Sequence, residues 1–162
     1  MKKLTLTVIA LTLTIITNAQ MIEKVVDDMT DKTNYYSTIN LIVANESKTE
    51  GVTIVPSIRN KNGKLTANSL ICSIVGLGVC NESNKMIIMF DDETKFTLTS
   101  WNKFNCKGNA YFDLDESQVQ ELATKPIKKI RFTNGKSYES VTNTPSRNDY
   151  FINFYDELNK LK

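Results

Sequence analysis

The feature that most constrains the fold is a two-residue alternation of apolar and polar side chains. Ile39, Leu41 and Val43 alternate with polar residues, which places their side chains on one face of a β-strand. The pattern returns in four later runs, at 52–56, 70–74, 96–98 and 110–114. The run 86–90 is apolar at every position, as is typical of a strand covered on both faces. The sequence therefore predicts a mainly antiparallel β-sheet, either curved or sandwich-like.

Short turn signals separate these strands. Asn62-Gly63 supplies the positive φ angles of a type I′ hairpin turn. Asn134-Gly135 does the same between a strand that starts at Ile130 and one that runs from 136 to 142. The acidic run 91–94 reverses the chain between the strands 86–90 and 95–99.

Two segments have helical periodicity and predict an α+β fold. Asp115 and Gln118 have the spacing of a capping box, which predicts a short helix near 116–124. Aromatic residues recur at helical spacing near the carboxyl end and predict an amphipathic helix near 147–160, packed on the sheet through core side chains. These residues are Tyr150, Phe151, Phe154 and Tyr155. The segment 21–29 fits either a helix or a first strand.

The amino-terminal residues have the pattern of an export signal. Lys2 and Lys3 precede an apolar run from 4 to 16, and small residues then precede Gln20. This apolar run is shorter than the roughly 20 residues that a membrane-spanning helix needs. We expect cleavage of residues 1–19, which leaves a single domain at 20–162 in the periplasm or outside a bacterial cell. Stable membrane insertion is not expected.

Composition excludes several function classes. The chain has no histidine, which removes Ser-His-Asp catalysis, Cys-His catalysis and histidine-based zinc sites. Loss of Lys2 and Lys3 leaves 18 basic residues against 18 acidic ones, and this neutral balance argues against nucleic acid as a partner. No phosphate-binding glycine motif is present. We expect no cofactor, no metal and no enzymatic activity.

The three cysteines predict one disulfide, because export permits oxidation. A turn centred on 92–93 would oppose residues whose numbers sum to 185, and Cys80 and Cys106 come close to that sum. The competing pair of Cys72 with Cys80 needs a tight hairpin around Gly76, which would break the apolar run there. We predict a Cys80–Cys106 bridge and a buried free thiol at Cys72.

Acidic residues offer two weaker candidate sites. The turn 91–93 has the oxygen ligands that calcium prefers, but it lacks the spaced acidic pattern of a calcium loop, so solvated turn acids are the better interpretation. Asp113 and Asp115 have the chemistry of a glycosidase pair. They are equally explained as a strand-surface acid and a helix cap.

A local basic cluster is the candidate partner site. It contains Lys125, Lys128, Lys129, Arg131 and Lys136. On a strand, Lys129 and Arg131 share one face while Lys128 points the other way. Lys129, Arg131 and Lys136 are our candidate patch for an anionic partner. The alternative is a solvated edge strand that its lysines protect from pairing.

The carboxyl-terminal half resembles small exported bacterial proteins of uncharacterised function. The resemblance covers about residues 80–140 and rests on the segments 90–95, 104–108 and 130–135, with a short helix between the last two. It implies a compact α+β domain and export. It implies no activity and no catalytic residues.

These observations favour a non-catalytic exported domain that binds a protein or another cell-envelope component. A small apolar-ligand carrier, with a pocket between the sheet and the C-terminal helix, is the alternative. A carboxylate-dependent glycan hydrolase is a third hypothesis. The sequence leaves the oligomeric state open.

Overall fold

The computed structural model describes residues 20–78, 82–102 and 106–161. These residues form an α+β fold dominated by antiparallel strands, as the alternation predicts. The elements in chain order are β1 (Ile22–Asp27), β2 (Lys32–Ser37), β3 (Leu41–Ala44), β4 (Gly51–Pro56), β5 (Arg59–Lys61), β6 (Lys64–Thr66), β7 (Ser69–Val75), β8 (Lys85–Phe90), β9 (Lys95–Thr99), β10 (Asn109–Asp113), α1 (Glu116–Thr124), β11 (Ile127–Thr133), β12 (Ser140–Asn143) and α2 (Tyr150–Lys160).

Two four-stranded sheets enclose the core. One has the strand order β10-β7-β4-β3 and the other the order β12-β11-β8-β9. Their inward side chains are buried, and Phe112 of the first sheet meets Phe132 of the second edge to face, with ring centroids 6.3 Å apart. The architecture is therefore the sandwich-like form of the prediction, with one apolar core between the sheets.

Hydrogen bonds connect the two sheets at both sides of the sandwich. At the β3–β12 side, Asn143 Nδ2 donates to the carbonyl of Ala44 (2.7 Å). Nearby, the Ile42 N–H donates to Ser146 Oγ (3.1 Å). At the other side, the Trp101 N–H donates to the carbonyl of Tyr111 on β10 (3.0 Å). These contacts partly cover the outermost strands, which otherwise present unpaired backbone groups.

Helix α1 has the predicted bounds and cap. The Gln118 N–H donates to Asp115 Oδ1 (2.8 Å), and the Asp115 N–H donates to Gln118 Oε1 (3.0 Å). This reciprocal pair satisfies two of the amide groups that a helix start leaves without partners.

Helix α2 begins at Tyr150 rather than at 147. Asp149 occupies the cap position without a side-chain capping bond, and the Ser146 hydroxyl accepts a hydrogen bond from β3 instead of capping the helix. The aromatic stripe is buried, as predicted. Tyr155 also donates its hydroxyl proton to the carbonyl of Ala67 (2.8 Å), which satisfies a polar group inside the core.

The ambiguous segment 21–29 contains a strand, so its interpretation as a helix is wrong. β1 pairs with β2 in a two-stranded ribbon in which Val25 lies opposite Asn34. No pattern in the sequence predicted β2. Val26 and Met29 of this ribbon are exposed.

The Asn62-Gly63 turn is confirmed. Both residues have positive φ angles, 54° and 82°, and Lys61 pairs with Lys64 across the two-residue loop.

The other two predicted turns differ in detail. The predicted tight turn at Asn134-Gly135 is a longer loop, and its positive φ (59°) lies at Tyr138. Gly135 is needed there for a close approach, because an added Cβ would lie 1.5 Å from the carbonyl oxygen of Glu82.

In the β8–β9 hairpin, Met86 pairs with Leu98. The residue numbers of paired positions in this hairpin therefore sum to 184 and not to the predicted 185.

Candidate functional site

The candidate site is the outer surface of the β12-β11-β8-β9 sheet. Along β8, Met86, Ile88 and Phe90 are buried, so the alternate positions face outwards. Four basic residues occupy outward positions and are exposed, and we call this surface the cationic face. They are Lys85 on β8, Lys95 on β9, and Lys129 and Arg131 on β11.

Strand pairing arranges the cations around an apolar centre. Met89 pairs with Lys95 on one side and with Lys129 on the other. Ile87 pairs with Arg131, and both apolar side chains are only half-buried. A concavity of about 160 Å³ lies here, lined by Ile87, Met89, Lys95, Lys129, Arg131 and Thr142. The arrangement offers positive charge beside a small apolar surface.

A hydrogen bond restrains Arg131 on this surface. Its Nε donates to Thr142 Oγ1 on β12 (3.0 Å), and the two residues are direct cross-strand partners. The guanidinium has further N–H donors beyond Nε, which suit it to accept a carboxylate or another planar anion.

The strands contribute no acid to this surface. The other outward positions carry hydroxyl side chains, namely Thr97, Thr99, Thr133, Ser140 and Thr142. The acidic turn 91–93 lies at one end of the sheet, and two of its carboxylates face cations outside the cationic face. Asp92 lies 2.8 Å from Lys125 Nζ, and Glu93 forms a salt bridge with Lys128. The hydrogen bond from Lys125, with a further one from Thr94, lowers the pKa of Asp92 to about 2.

Lys128 does not point into the core side of the sheet. A bulge between Ile127 and Lys129 shifts the register, so Lys128 and Lys129 are both exposed. Lys128 bonds Glu93 at the turn and takes no part in the concavity.

The predicted patch is only partly assembled in space. Lys129 and Arg131 lie together, whereas Lys136 lies in the loop between β11 and β12 and does not line the concavity. Lys85 and Lys95 were not among the predicted site residues. Lys95 alternates with Phe96 and so has a visible outward position, but its proximity to Lys129 depends on the pairing of β8 with β11.

A second concavity, of about 580 Å³, lies between the two helices. Its apolar lining comes from Leu65, Ala67, Leu114, Val119, Ala123, Tyr155 and Leu158, and polar side chains such as Glu116 and Asn159 surround it. It is lined by α1, α2, strand β6, the β6–β7 connection and the two residues before α1, and by no strand of the two four-stranded sheets.

The structure tests only part of the cysteine predictions. Cys72 is a free, fully buried cysteine, and burial raises the pKa of its thiol. It therefore does not pair with Cys80, as the competing connectivity required. Cys80 lies outside the described residues, so the Cys80–Cys106 bridge stays a prediction.

The acidic candidates lie at a turn, at the end of a strand and at a helix cap. Within residues 20–78, 82–102 and 106–161, no group of three or more potential ligands is placed to hold a metal ion. Asp115 caps α1, and Asp113 is exposed at the end of β10.

No helix in the described part of the chain is both long and apolar enough to cross a membrane.

Comparisons with protein-family models, with curated proteins and with solved structures find no match for this chain.

Proposed function

We propose that this chain is a non-catalytic exported domain whose cationic face binds an anionic macromolecule, either a protein or another envelope component. One observation carries the proposal. The outward positions of a four-stranded sheet hold four cations, no acid and a half-buried apolar centre. Residues 20–162 contain equal numbers of acidic and basic residues, so the excess of positive charge on this face is local. A specific contact surface requires such a local excess.

Lys129 and Arg131 do not fit the alternative of a lysine-protected edge strand, whereas Lys95 on the outermost strand β9 does. Lysines protect a sheet when they lie on an edge strand, but β11 lies between β8 and β12. Lys129 and Arg131 therefore have no edge to protect. Their like charges, next to one another on one strand face, repel at close range, and an anion bound there would relieve this repulsion.

Ion pairs and apolar contact would contribute differently to the binding affinity. Exposed ion pairs each contribute at most about 1 kcal/mol and weaken with salt. Several such pairs around Ile87 and Met89 give a weak to moderate, salt-sensitive affinity to which apolar burial adds a salt-resistant part.

A direct test uses immobilised polyglutamate as a model polyanion. The chain from residue 20 onward should bind it at low salt and elute as the salt rises. The triple variant Lys95→Glu, Lys129→Glu, Arg131→Glu should bind at least about tenfold more weakly, because each reversal replaces attraction by repulsion. Unchanged retention of this variant would refute the proposal.

The matched control reverses three exposed lysines on the other parts of the fold. Lys24→Glu, Lys32→Glu and Lys61→Glu change the net charge by the same amount but lie on β1, β2 and β5. If the control loses binding as strongly as the first variant, net charge and not the cationic face governs the interaction.

The helix-lined concavity supports a second candidate function, a carrier of small apolar ligands. Its volume of about 580 Å³ is within the range of small-molecule sites. Val119→Trp should fill part of it and reduce binding of a fluorescent apolar probe, while the cationic-face variant should leave that binding unchanged. Equal probe binding by Val119→Trp would remove the carrier hypothesis.

A further inference from the structure

We infer that the occupant of the cationic face is an extended acidic peptide segment in which an apolar residue has an acidic residue two positions before it and two positions after it. This inference rests on the proposed function and specifies the partner. Its basis is the geometry of one row of residues that runs across three strands.

The row consists of Lys95, Met89 and Lys129. Met89 is the direct partner of both lysines, one on each neighbouring strand. Strands lie about 4.8 Å apart, so the two lysine Cα atoms are separated by roughly 10 Å, with an apolar side chain midway. Arg131 is two residues beyond Lys129, about 7 Å along the same strand face.

An extended peptide has a wider spacing, which the lysine side chains can span. Its residues i, i+2 and i+4 point to one side at intervals of about 7 Å, so its two acidic residues lie about 14 Å apart. A peptide that crosses the strands along this row would place its central apolar side chain on Met89 and Ile87. Lys95 and Lys129, with Cα atoms roughly 10 Å apart, would reach the two acids by leaning outwards with their long, flexible side chains. The concavity of about 160 Å³ has room for a single side chain.

The apolar centre favours a peptide over a sulfated glycan or a membrane. Ile87 and Met89 are half-buried and line a small concavity together with Lys95, Lys129 and Arg131. A sulfated glycan has no apolar side chain to place there, and a flat lipid surface presents its charged headgroups to such a concavity. A peptide supplies one apolar side chain with acidic residues on either side of it.

The experiment compares fluorescent peptides by anisotropy. The patterned peptide has the form acid-Ser-Leu-Ser-acid within a neutral flank. One comparison peptide has the same composition with adjacent acids and a terminal leucine, and another has serine in place of leucine. We expect the patterned peptide to bind at least about tenfold more tightly than both, because only it engages charge and apolar centre together.

Two variants separate the contribution of the apolar centre from that of the cations. Met89→Ser removes the apolar centre and should abolish the preference for the patterned peptide while polyglutamate binding persists. Lys129→Gln with Arg131→Gln should weaken both interactions. Thermal unfolding checks that Met89→Ser folds, and Ile87→Thr at the neighbouring half-buried position is the substitute should it not.

The outcomes distinguish this inference from the proposed function. Polyglutamate binding with no preference among the peptides overturns the peptide pattern and leaves the anion-binding function intact. Tighter binding to anionic vesicles or to a sulfated glycan than to the patterned peptide also overturns it. Failure of every anionic probe overturns both.

Discussion

The carboxylate of Glu157 accepts hydrogen bonds from two consecutive backbone amides, those of Met21 and Ile22, each at 3.0 Å. Glu157 lies on α2, so this contact ties the C-terminal helix to the start of β1. Hydrogen bonds to a charged acceptor are stronger than neutral ones. The contact therefore fixes the amino end of the ribbon to the rest of the fold.

Glu157→Gln should loosen this attachment. The amide has one oxygen acceptor in place of two, so one backbone N–H loses its partner, at a cost of about 1–3 kcal/mol. Urea unfolding measures the loss, and hydrogen exchange should accelerate at Met21 and Ile22 before it does in β8. Unchanged exchange at both amides would mean that the contact does not hold the ribbon.

The mature chain should begin at Gln20. Its carbonyl accepts a hydrogen bond from Thr38 Oγ1 (2.5 Å), and Met21 and Ile22 are buried. Amino-terminal sequencing of protein from the native host measures the start directly, after treatment that removes a pyroglutamate cap. Intact Met1 in the membrane fraction would contradict export.

Stability should depend on pH through Asp92. Its hydrogen bonds lower the folded-state pKa to about 2, from 3.8 for the free side chain. The ionised carboxylate therefore stabilises the folded state above pH 3.8, and that contribution disappears as the pH falls through the folded-state pKa. Asp92→Asn should lower the melting temperature slightly at pH 7, by less as the pH falls through the folded-state pKa of about 2, and not at all below about pH 1.

Asp113→Asn is the matched control for this titration, because Asp113 is exposed at the end of a strand. Its melting temperature should follow the wild-type curve across the same pH series. A difference for Asp92→Asn that is as large at pH 2 as at pH 7 would show that its effect is not electrostatic.

The aromatic stripe of α2 should behave as core. Phe154 is fully buried, so Phe154→Ala should cost about 3–5 kcal/mol in denaturant unfolding. Leu161, at the end of the same helix, is 41% exposed, and Leu161→Ala should cost less than about 0.5 kcal/mol. Similar losses in the two variants would contradict this packing.

Local signals predicted the elements whose stabilising contacts lie close in sequence. The capping box of Asp115 with Gln118 and the turn at Asn62-Gly63 each depend on neighbouring residues alone. β2 (Lys32–Ser37) was missed because it has no apolar alternation. It is held by pairing with β1, which no local pattern reveals.

Only the part of the cationic face that lies on a single strand was predictable from the sequence. Alternation places Lys129 and Arg131 on a common face, but the addition of Lys95 requires the register of three strands. That register changes at two local irregularities, the left-handed Glu93 (φ 66°) in the hairpin loop and the bulge after Ile127. A single-residue change in register moves side chains to the other face of a sheet.

The cysteines provide the last prediction. We expect a Cys80–Cys106 disulfide, which closes a loop of about 25 residues and stabilises the fold by roughly 3 kcal/mol on chain-entropy arguments. Cys72 should resist alkylation until the protein unfolds, because it is fully buried and burial raises the pKa of its thiol. Non-reducing peptide mapping of protein from its natural compartment decides the pairing. A Cys72–Cys80 peptide, or three free thiols, would show that the prediction is wrong.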